Sequence, residues 1–401
     1  MANVSSSNGL EKRPKLRFPG FDDPYRKCRI GDIYGERSQR GAGDMELLSV
    51  TMNDGVMPRT EIEGKDNSSE DKSNYKVVCK GDMVYNSMRM WQGANGVSNY
   101  DGIVSPAYTV LMPTEEIDNQ YFAALFKTSN LINEFRKNSQ GLTSDTWNLK
   151  YPQIRPIRLC IPSLQEQNKI SSFIGTLEER ISKQRQLVDS LKKYKRGAVR
   201  SLLSAKSCPL KNGSWTTAKM GELGYFIKGA PLSKADISED GTPFILYGEL
   251  YTTYNEVVTS VKRRTQAQID ETFLSRVGDV VIPTSGETPE EISTASCVML
   301  PDVILAGDLN IFRGDKVDGR IMSYLLNHVV NGKIARIAQG KSVVHIQASE
   351  LCKLTLTYPD KNTQNTIIGF LSLLDDKIMN EENLLAFLSV LKEGLLQQLF
   401  I

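Results

Sequence analysis

Two long stretches of the sequence are copies of one pattern, and they decide the fold. Residues 162–203 read PSLQEQNKISSFIGTLEERISKQRQLVDSLKKYKRGAVRSLL, and residues 359–400 read PDKNTQNTIIGFLSLLDDKIMNEENLLAFLSVLKEGLLQQLF. They align without a gap at a constant offset of 197 residues, which pairs Pro162 with Pro359, Gln167 with Gln364, Phe173 with Phe370 and Gly197 with Gly394. An offset this long is unlike the short period of a solenoid, so it indicates two tandem copies of one domain, each followed by a helix.

Apolar residues in both stretches recur at alternating steps of four and three, which is the spacing of a coiled-coil seam. The first helix is about 60 Å long at about 1.5 Å per residue. The predicted pairing seam consists of Ile174, Leu177, Ile181, Val188, Leu191 and Lys195 in the first helix, and Leu371, Leu374, Ile378, Glu381, Leu385 and Leu388 in the second.

The two helical stretches carry opposite net charge, which favours their pairing with each other. Residues 158–206 contain 11 basic and 4 acidic residues, whereas residues 357–401 contain 3 basic and 6 acidic residues. We therefore expect an antiparallel pair in the register that places Lys195 opposite Glu381 and Gln184 opposite Lys392. The alternative is that these four residues are solvated on separate helices.

The repeat continues upstream of each helix and divides the chain into four segments. Gly81-Asp82 matches Gly278-Asp279 at the same offset, and Gln140-Gly141 matches Gln339-Gly340 at an offset of 199 residues. Short β-rich runs bounded by turn residues precede an amphipathic helix in each copy, which predicts α+β domains of mixed α/β content. The predicted segments are 1–157 (a domain with an N-terminal arm, within which 16–21 docks), 158–206 (central helix), 207–356 (second domain) and 357–401 (C-terminal helix).

Composition excludes several classes of protein. Hydrophobic residues make up 40% and charged residues 24% of the 401 residues, as in globular proteins. The six cysteines form no CxxC pair and do not group with the two histidines, which argues against a zinc site or a disulfide framework. The same pattern leads us to expect no bound metal. No leader or membrane-spanning stretch is evident, so we expect a cytoplasmic protein. The formal net charge of +2 means that any DNA contact comes from local patches.

The sequence lacks the motifs of common enzymes. Gly340-Lys341-Ser342 resembles the end of a phosphate-binding loop, but Ala335 stands where that loop needs its first glycine. Two histidines leave little for general base catalysis. We expect a chain without catalytic residues; a hidden enzymatic activity is the minority alternative.

Polar loops in each domain carry side chains suited to base edges and phosphates. Arginine can bind guanine, Asn and Gln can bind adenine, and Glu can accept from cytosine, while lysines suit phosphates. The candidate DNA-binding residues are Asn86, Arg89, Gln92 and Asn95 in the first domain, and Lys228, Ser233, Lys234, Tyr247, Thr284, Ser285, Glu287, Lys341, Ser342 and His345 in the second. The alternative is ordinary turn chemistry, with Trp91 in the core, His345 in the core or on the surface, and Cys297 in the core.

These elements together resemble the specificity subunits of Type I restriction–modification systems. The segment from Ile161 to Leu203, with Gln165-Glu166-Gln167 and Lys192-Lys193, resembles the central helix of that family, and Pro359 to Phe400 resembles its C-terminal helix. Leu16 to Phe21 resembles the frequent opening of the family, and residues 81–106 and 278–288 resemble segments of its target-recognition domains. Asp360 to Gln364 departs from the family's Glu-Gln form, which puts only local detail in doubt.

The resemblance implies a non-catalytic subunit with two target-recognition domains, each reading one half of an asymmetric, bipartite DNA target. The paired helices would set the spacing of the halves and dock two modification subunits. S-adenosylmethionine would bind those subunits, and ATP and Mg²⁺ would bind the restriction (motor-nuclease) subunits, so no cofactor is expected on this chain. The competing interpretation is a coiled-coil scaffold with two modules that do not bind DNA.

Overall fold

The computed structural model describes residues 13–41, 44–52, 55–66, 68–143, 146–210, 213–338 and 344–400. The chain divides into two compact units: unit 1 comprises residues 1–185 and 383–401, and unit 2 comprises residues 186–382. The division falls within both long helices, so each unit contains one folded domain and a portion of each helix.

Unit 1 contains a mixed α/β domain. Its strands are β1 (Arg26–Arg29), β2 (Tyr34–Glu36), β3 (Leu48–Thr51), β4 (Gly55–Pro58), β5 (Lys76–Val78), β6 (Met83–Asn86), β7 (Asn95–Val97), β8 (Gly102–Val104), β9 (Tyr108–Pro113) and β10 (Arg158–Ile161). Its helices are α1 (Ile30–Ile33), α2 (Asn119–Leu125), α3 (Ser129–Asn138), α4 (Tyr151–Ile154) and the first part of α5 (Leu164–Leu202), with 3-10 turns at Arg59–Glu61 and Met90–Gln92.

Unit 2 also contains a mixed α/β domain. Its strands are β11 (Trp215–Lys219), β12 (Tyr225–Lys228), β13 (Thr242–Leu246), β14 (Val257–Val258), β15 (Arg263–Thr265), β16 (Asp279–Pro283), β17 (Ser285–Gly286), β18 (Ser296–Val298), β19 (Ile304–Ala306), β20 (Leu309–Arg313), β21 (Val344–His345) and β22 (Thr355–Pro359). Its helices are α6 (Met220–Leu223), α7 (Glu249–Thr252), α8 (Pro289–Ile292), α9 (Gly319–His328), α10 (Asn331–Ile337), α11 (Ala348–Leu351) and the first part of α12 (Lys361–Leu399), with 3-10 turns at Lys234–Asp236 and Glu271–Phe273.

The central sheets of the two units have the same topology. Unit 1 has the strand order β2-β9-β6-β7, and unit 2 has β12-β20-β16-β18 with β14 added at its edge. In both units an antiparallel pair, β1 with β10 and β11 with β22, joins the beginning of the domain to the strand that leads into the long helix. The internal repeat predicted from the sequence is therefore confirmed.

The repeated Gly-Asp motif forms a buried ion pair in each unit. Gly81 and Gly278 have φ values of +94° and +97°, in the left-handed region that favours glycine. In unit 2 the carboxylate of Asp279 is 2% exposed and accepts two bonds from Arg313, at 2.8 Å from Nε and 2.6 Å from a terminal nitrogen. Asp82 accepts the same two-fold contact from Arg37 in unit 1, at 2.6 and 3.0 Å. Both carboxylates also accept a backbone N–H of their own turn, which leaves neither charge unpaired.

The repeated glutamine joins each long helix to its domain. The side chain of Gln364 donates to the carbonyl of Pro359 at 2.8 Å and accepts from the backbone N–H of Asp318 at 2.9 Å. Gln167 forms the equivalent bonds with Pro162 and Asp118, at 3.0 and 3.1 Å. Asp118 and Asp318 in turn cap α2 and α9 with their carboxylates, the usual role of aspartate at a helix N-terminus.

The seam of the long helices lies where the sequence predicts it. Every residue of the pairing seam predicted above is buried or half-buried, including Lys195 and Glu381. Two contacts within unit 2 show that the helices run antiparallel: Lys192 bonds Glu382, and Lys195, one turn later on α5, bonds Asp375, two turns earlier on α12, each at 2.6 Å. In unit 1, Lys392 bonds Glu178 at 2.6 Å.

The ion pairs predicted from the sequence register are wrong. Lys195 pairs with Asp375, not with Glu381, and Lys392 pairs with Glu178, not with Gln184. Glu381 instead bonds Lys377, one turn earlier on its own helix. The two observed pairs are equivalent, because Glu178 matches Asp375 and Lys195 matches Lys392 at the offset of the repeat.

The segment before β1 docks on unit 1, as the sequence predicts. Arg17 bonds the fully buried carboxylate of Glu166 through two nitrogens, each at 2.8 Å, and Phe18 packs edge-on against Phe173. The backbone N–H of Leu16 donates to the carbonyl of Gln398, satisfying one of the last carbonyls of α12. None of the helices in the described residues has the length and hydrophobicity that a membrane span needs.

Candidate nucleic-acid interface

The candidate residues of the second domain converge on the turn at Gly307-Asp308. The backbone N–H of Thr284 donates to the carbonyl of Asp308 at 2.8 Å, and the hydroxyl of Ser285 donates to its carboxylate at 3.0 Å. The N–H of Gly307 donates to the carbonyl of Ala230, which brings the loop that begins at Lys228 to the same turn. Three loops that are distant in the sequence thus meet at one place in unit 2.

A cavity of about 680 Å³ opens beside this turn. Of the sequence candidates, Ser233, Lys234 and Tyr247 line it, together with Gly307 and Asp308. Ser233 caps the 3-10 turn that follows it, accepting from the N–H of Ala235 at 3.2 Å, while Lys234 is exposed. An exposed cation, tyrosines and a carboxylate can contact phosphate and base edges from this position.

Sequence reasoning missed four polar side chains that line this cavity: Tyr251, Thr252, Arg263 and Asp308. Glu249 is buried and bonds Arg263 at 2.8 Å, and this pair forms part of the wall. Asp308 is exposed at the turn. The available signal was the Gly307-Asp308 dipeptide, because glycine beside aspartate is typical of a turn.

In the first domain, Asn86 ends β6, and Arg89 and Gln92 lie on the loop that follows. The carboxamide of Asn86 accepts from the N–H of Met88 at 3.0 Å, so it forms the turn itself, whereas Arg89 and Gln92 are exposed. Trp91 is half-buried: its ring packs edge-on against Trp147 at 5.2 Å, with the guanidinium of Arg136 5.8 Å from its centre. The loop therefore presents a cation and an amide beside a pair of tryptophans.

The two loops occupy equivalent positions in their units. The N–H of Leu149 donates to the carbonyl of Ser87 at 2.8 Å, and the N–H of Ile346 donates to the carbonyl of Thr284 at 3.0 Å. Ser87 matches Thr284 and Leu149 matches Ile346 at the repeat offset of 197 residues. The same scaffold position thus carries different side chains in the two domains.

The remaining candidate residues differ in where the structure places their side chains. Asn95 is fully buried and donates to the carbonyl of Gly93, so its assignment to a DNA-reading surface is wrong. Ser285 is 6% exposed and its hydroxyl already bonds Asp308, so it supports the turn. Thr284 is half-buried, Lys228, Glu287 and His345 are exposed, and Lys341 and Ser342 lie outside the described residues.

The described residues contain no group of three or more His, Cys, Asp or Glu side chains that could hold a metal ion. Cys297 is buried in the core of unit 2, and this burial raises the pKa of its thiol. A thiol held in its protonated form is a poor nucleophile.

A second polar cluster lies inside unit 2, where the domain meets the helices. Lys195 of α5 lies 2.7 Å from Glu256 and 2.6 Å from Asp375 of α12. His328 lies 2.5 Å from the other carboxylate oxygen of Glu256. Burial raises the pKa of Glu256, but the hydrogen bond from His328 and the charge of Lys195 outweigh it and lower the pKa to about 2.

This lowered pKa predicts a loss of stability in acid. A carboxyl whose pKa is about 2 in the folded chain, against an ordinary value of 4.5, stabilises the fold fully above pH 4.5 and loses its contribution as the pH falls toward 2. We expect Glu256→Gln to lower the free energy of unfolding clearly at pH 6 and much less at pH 3, as measured by urea unfolding. A difference between variant and wild type that stays constant over this range would contradict the assignment.

With this geometry established, comparison with known proteins identifies the family. The family model described as "Type I restriction modification DNA specificity domain" matches the chain twice, over residues 29–192 and 212–388. The chain therefore belongs to this family. The two matches correspond to the two copies of the repeat.

Solved structures show the same fold. The S subunit of a Type I restriction–modification system from M. genitalium is 15% identical, with a TM-score of 0.60 over 97% of this chain and 99% of that one. A structure reported for the complex assembly and conformational transition of the type I R-M system is also 15% identical, with a TM-score of 0.59 over 96% of this chain and 99% of that one. No curated protein sequence matches the chain.

Proposed function

We propose that this chain is the DNA-recognition subunit of a Type I restriction–modification complex and that each domain reads one half of a bipartite target. The supporting observation is that the loops after β6 and β16 hold the same scaffold position by the same backbone bond, yet carry different side chains. Sequence is read by side chains at base edges, so two different reading loops specify two different half-sites. The target is accordingly asymmetric.

The helices provide two equivalent surfaces for partner subunits. Phe173 and Phe370 are matched in the repeat and are 38% and 41% exposed, and the matched pair Tyr194 and Leu391 are 59% and 39% exposed. Apolar side chains left exposed at the same positions of both copies are available for contact with two copies of one partner. Two such surfaces support the docking of two modification subunits, with restriction subunits completing the complex.

Catalysis and cofactors belong to those partners under this proposal. The candidate reading loops carry Asn, Arg, Gln, Lys and Tyr side chains, which can bind base edges and phosphates. The hydrogen bonds described within these loops form turns and helix caps. S-adenosylmethionine would bind the modification subunits, and ATP with Mg²⁺ would bind the restriction subunits. The family match does not favour the alternative of a scaffold without DNA binding.

The proposed DNA binding can be tested with a variant of the cavity in unit 2. We expect Lys234→Ala, in complex with the modification subunit, to bind target and non-target duplexes about tenfold more weakly and to lower the salt slope of binding by about one, because a phosphate contact is independent of sequence. Titration by fluorescence anisotropy at several salt concentrations measures both quantities. The matched control is Lys353→Ala, since Lys353 is an exposed lysine of the same unit that does not line the cavity.

Two results would contradict the proposal. Wild-type complex that binds all duplexes equally at moderate salt would favour a scaffold. Equal losses for Lys234→Ala and Lys353→Ala would remove the cavity from the interface.

A further inference from the structure

Lys195 is a buried cation held from three directions within unit 2. The residue is 8% exposed, which is unusual for lysine unless its charge is paired. Its ammonium group bonds Glu256, which lies directly before β14 in the recognition domain, and Asp375 on α12. One side chain of α5 therefore links both helices to the domain.

Two further side chains of the domain complete the cluster. The hydroxyl of Tyr324 donates to the second carboxylate oxygen of Asp375 at 2.6 Å, and His328 bonds the second oxygen of Glu256. The Tyr324 ring lies 5.3 Å from the ammonium of Lys195, within cation–π range. Both carboxylates thus have a partner on each oxygen, as a buried ionic network requires if it is to hold one geometry.

The matched position in the first half of the repeat is built differently. Lys392 bonds Glu178, its equivalent of Asp375, but their side chains are 25% and 47% exposed. When the capping residues Asp118 and Asp318 are aligned, the first domain has Ala124 and Thr128 at the positions of Tyr324 and His328. Exposed pairs of this kind typically contribute less than about 1 kcal/mol.

Apolar side chains supply another part of the contact between this domain and its helices, beside the bond from Asp318 to Gln364. Val199, Leu203, Ile367 and Leu371 share one hydrophobic core with Met322 and Leu325 of α9. Apolar packing is non-directional, so it stabilises the contact without fixing a single orientation. Ion pairs and hydrogen bonds are directional, so they can fix one orientation of the domain on its helices.

We propose that Lys195 is a positioning residue that fixes the second recognition domain on the helices and thereby makes the complex selective for one spacing of the two half-sites. This inference rests on the proposed function above. A domain that can shift on its helices accepts half-sites at neighbouring spacings, whereas a fixed domain rejects them. Lys195 acts through Glu256 and Asp375 and does not itself touch DNA in this proposal.

The test measures spacing selectivity separately from affinity. The complex with the modification subunit is titrated with its target and with duplexes whose spacer is one base pair longer or shorter. We expect the wild type to prefer the natural spacer by about a hundredfold, because a spacer of another length moves one half-site away from its reading loop, a loss comparable to that of a mismatched base pair. We expect Lys195→Met to reduce that preference to about tenfold or less, while affinity for the natural target changes only a few-fold.

A second variant covers the case in which Lys195→Met fails to fold because it leaves two acids without their cation. Lys195→Met combined with Glu256→Gln and Asp375→Asn removes all three charges and retains the side-chain volumes, a replacement that buried ion networks often tolerate. Lys392→Met is the matched control and should retain the full spacing preference.

The outcomes separate the two proposals. A triple variant that keeps the wild-type spacing preference overturns the positioning role, as does an equal loss of preference in Lys392→Met. A wild-type complex without any sequence preference overturns the proposed function, and the positioning role with it.

Discussion

Replacing Arg313 with methionine is expected to lower the free energy of unfolding of unit 2 by about 3–5 kcal/mol, the usual cost of removing one partner from a buried ion pair. The cause is Asp279, which is 2% exposed and would keep its charge without either of the bonds that Arg313 supplies. Urea unfolding followed by circular dichroism measures the loss. The same reasoning applies to Arg37 and Asp82 in unit 1.

Two further variants show whether this loss comes from the unpaired charge. Arg313→Met with Asp279→Asn removes the charge and should recover a large part of the stability. Arg276→Met changes an exposed arginine of the same turn and should alter stability by less than about 0.5 kcal/mol. A double variant no more stable than Arg313→Met would show that lost packing causes the effect.

Exchanging residues 20–157 for the corresponding domain of a relative with another target should replace one half of the recognised DNA sequence and leave the other half unchanged. The physical reason is that the second reading surface, from Lys228 to Asp308, is built entirely from side chains of unit 2. Sequencing the methylated bases of a host that carries the exchanged chain with its modification subunit measures the result.

One outcome of this exchange would contradict the prediction. A methylome in which both half-sites change would mean that the domains do not read independently. The parent chain, expressed from the same vector, supplies the reference target.

The repeat and the helical seam were predictable because they depend on residue spacing alone, but the register was not. A seam of apolar residues repeats every seven positions, so shifting one helix by about a heptad buries nearly the same surface. Lys195 and Lys392 each bond an acid six residues from the position of the predicted partner. Lys195 also bonds Glu256 of the folded domain, and helix sequences alone do not reveal this third partner.

The candidate DNA-reading surface was predictable only in part. Polar loops bounded by glycine mark exposed turns, and Lys234, Tyr247 and Arg89 lie on such loops. Asn95 shows the limit, because it begins β7 and its side chain is fully buried. Asp308 was missed because its position depends on β19 and β20 meeting the loops of two other segments.

The ion network at Lys195 bears on the exchange of domains between related chains. A foreign first domain that leaves Arg17 in place inherits no unpaired charge from the helices, because Glu166 keeps Arg17 and Lys392 is paired with Glu178. A foreign second domain must bring its own acid against Lys195 or leave this buried cation with Asp375 alone. Successful exchanges should therefore accumulate at the first domain, and surviving exchanges at the second should carry an acidic residue in the place of Glu256.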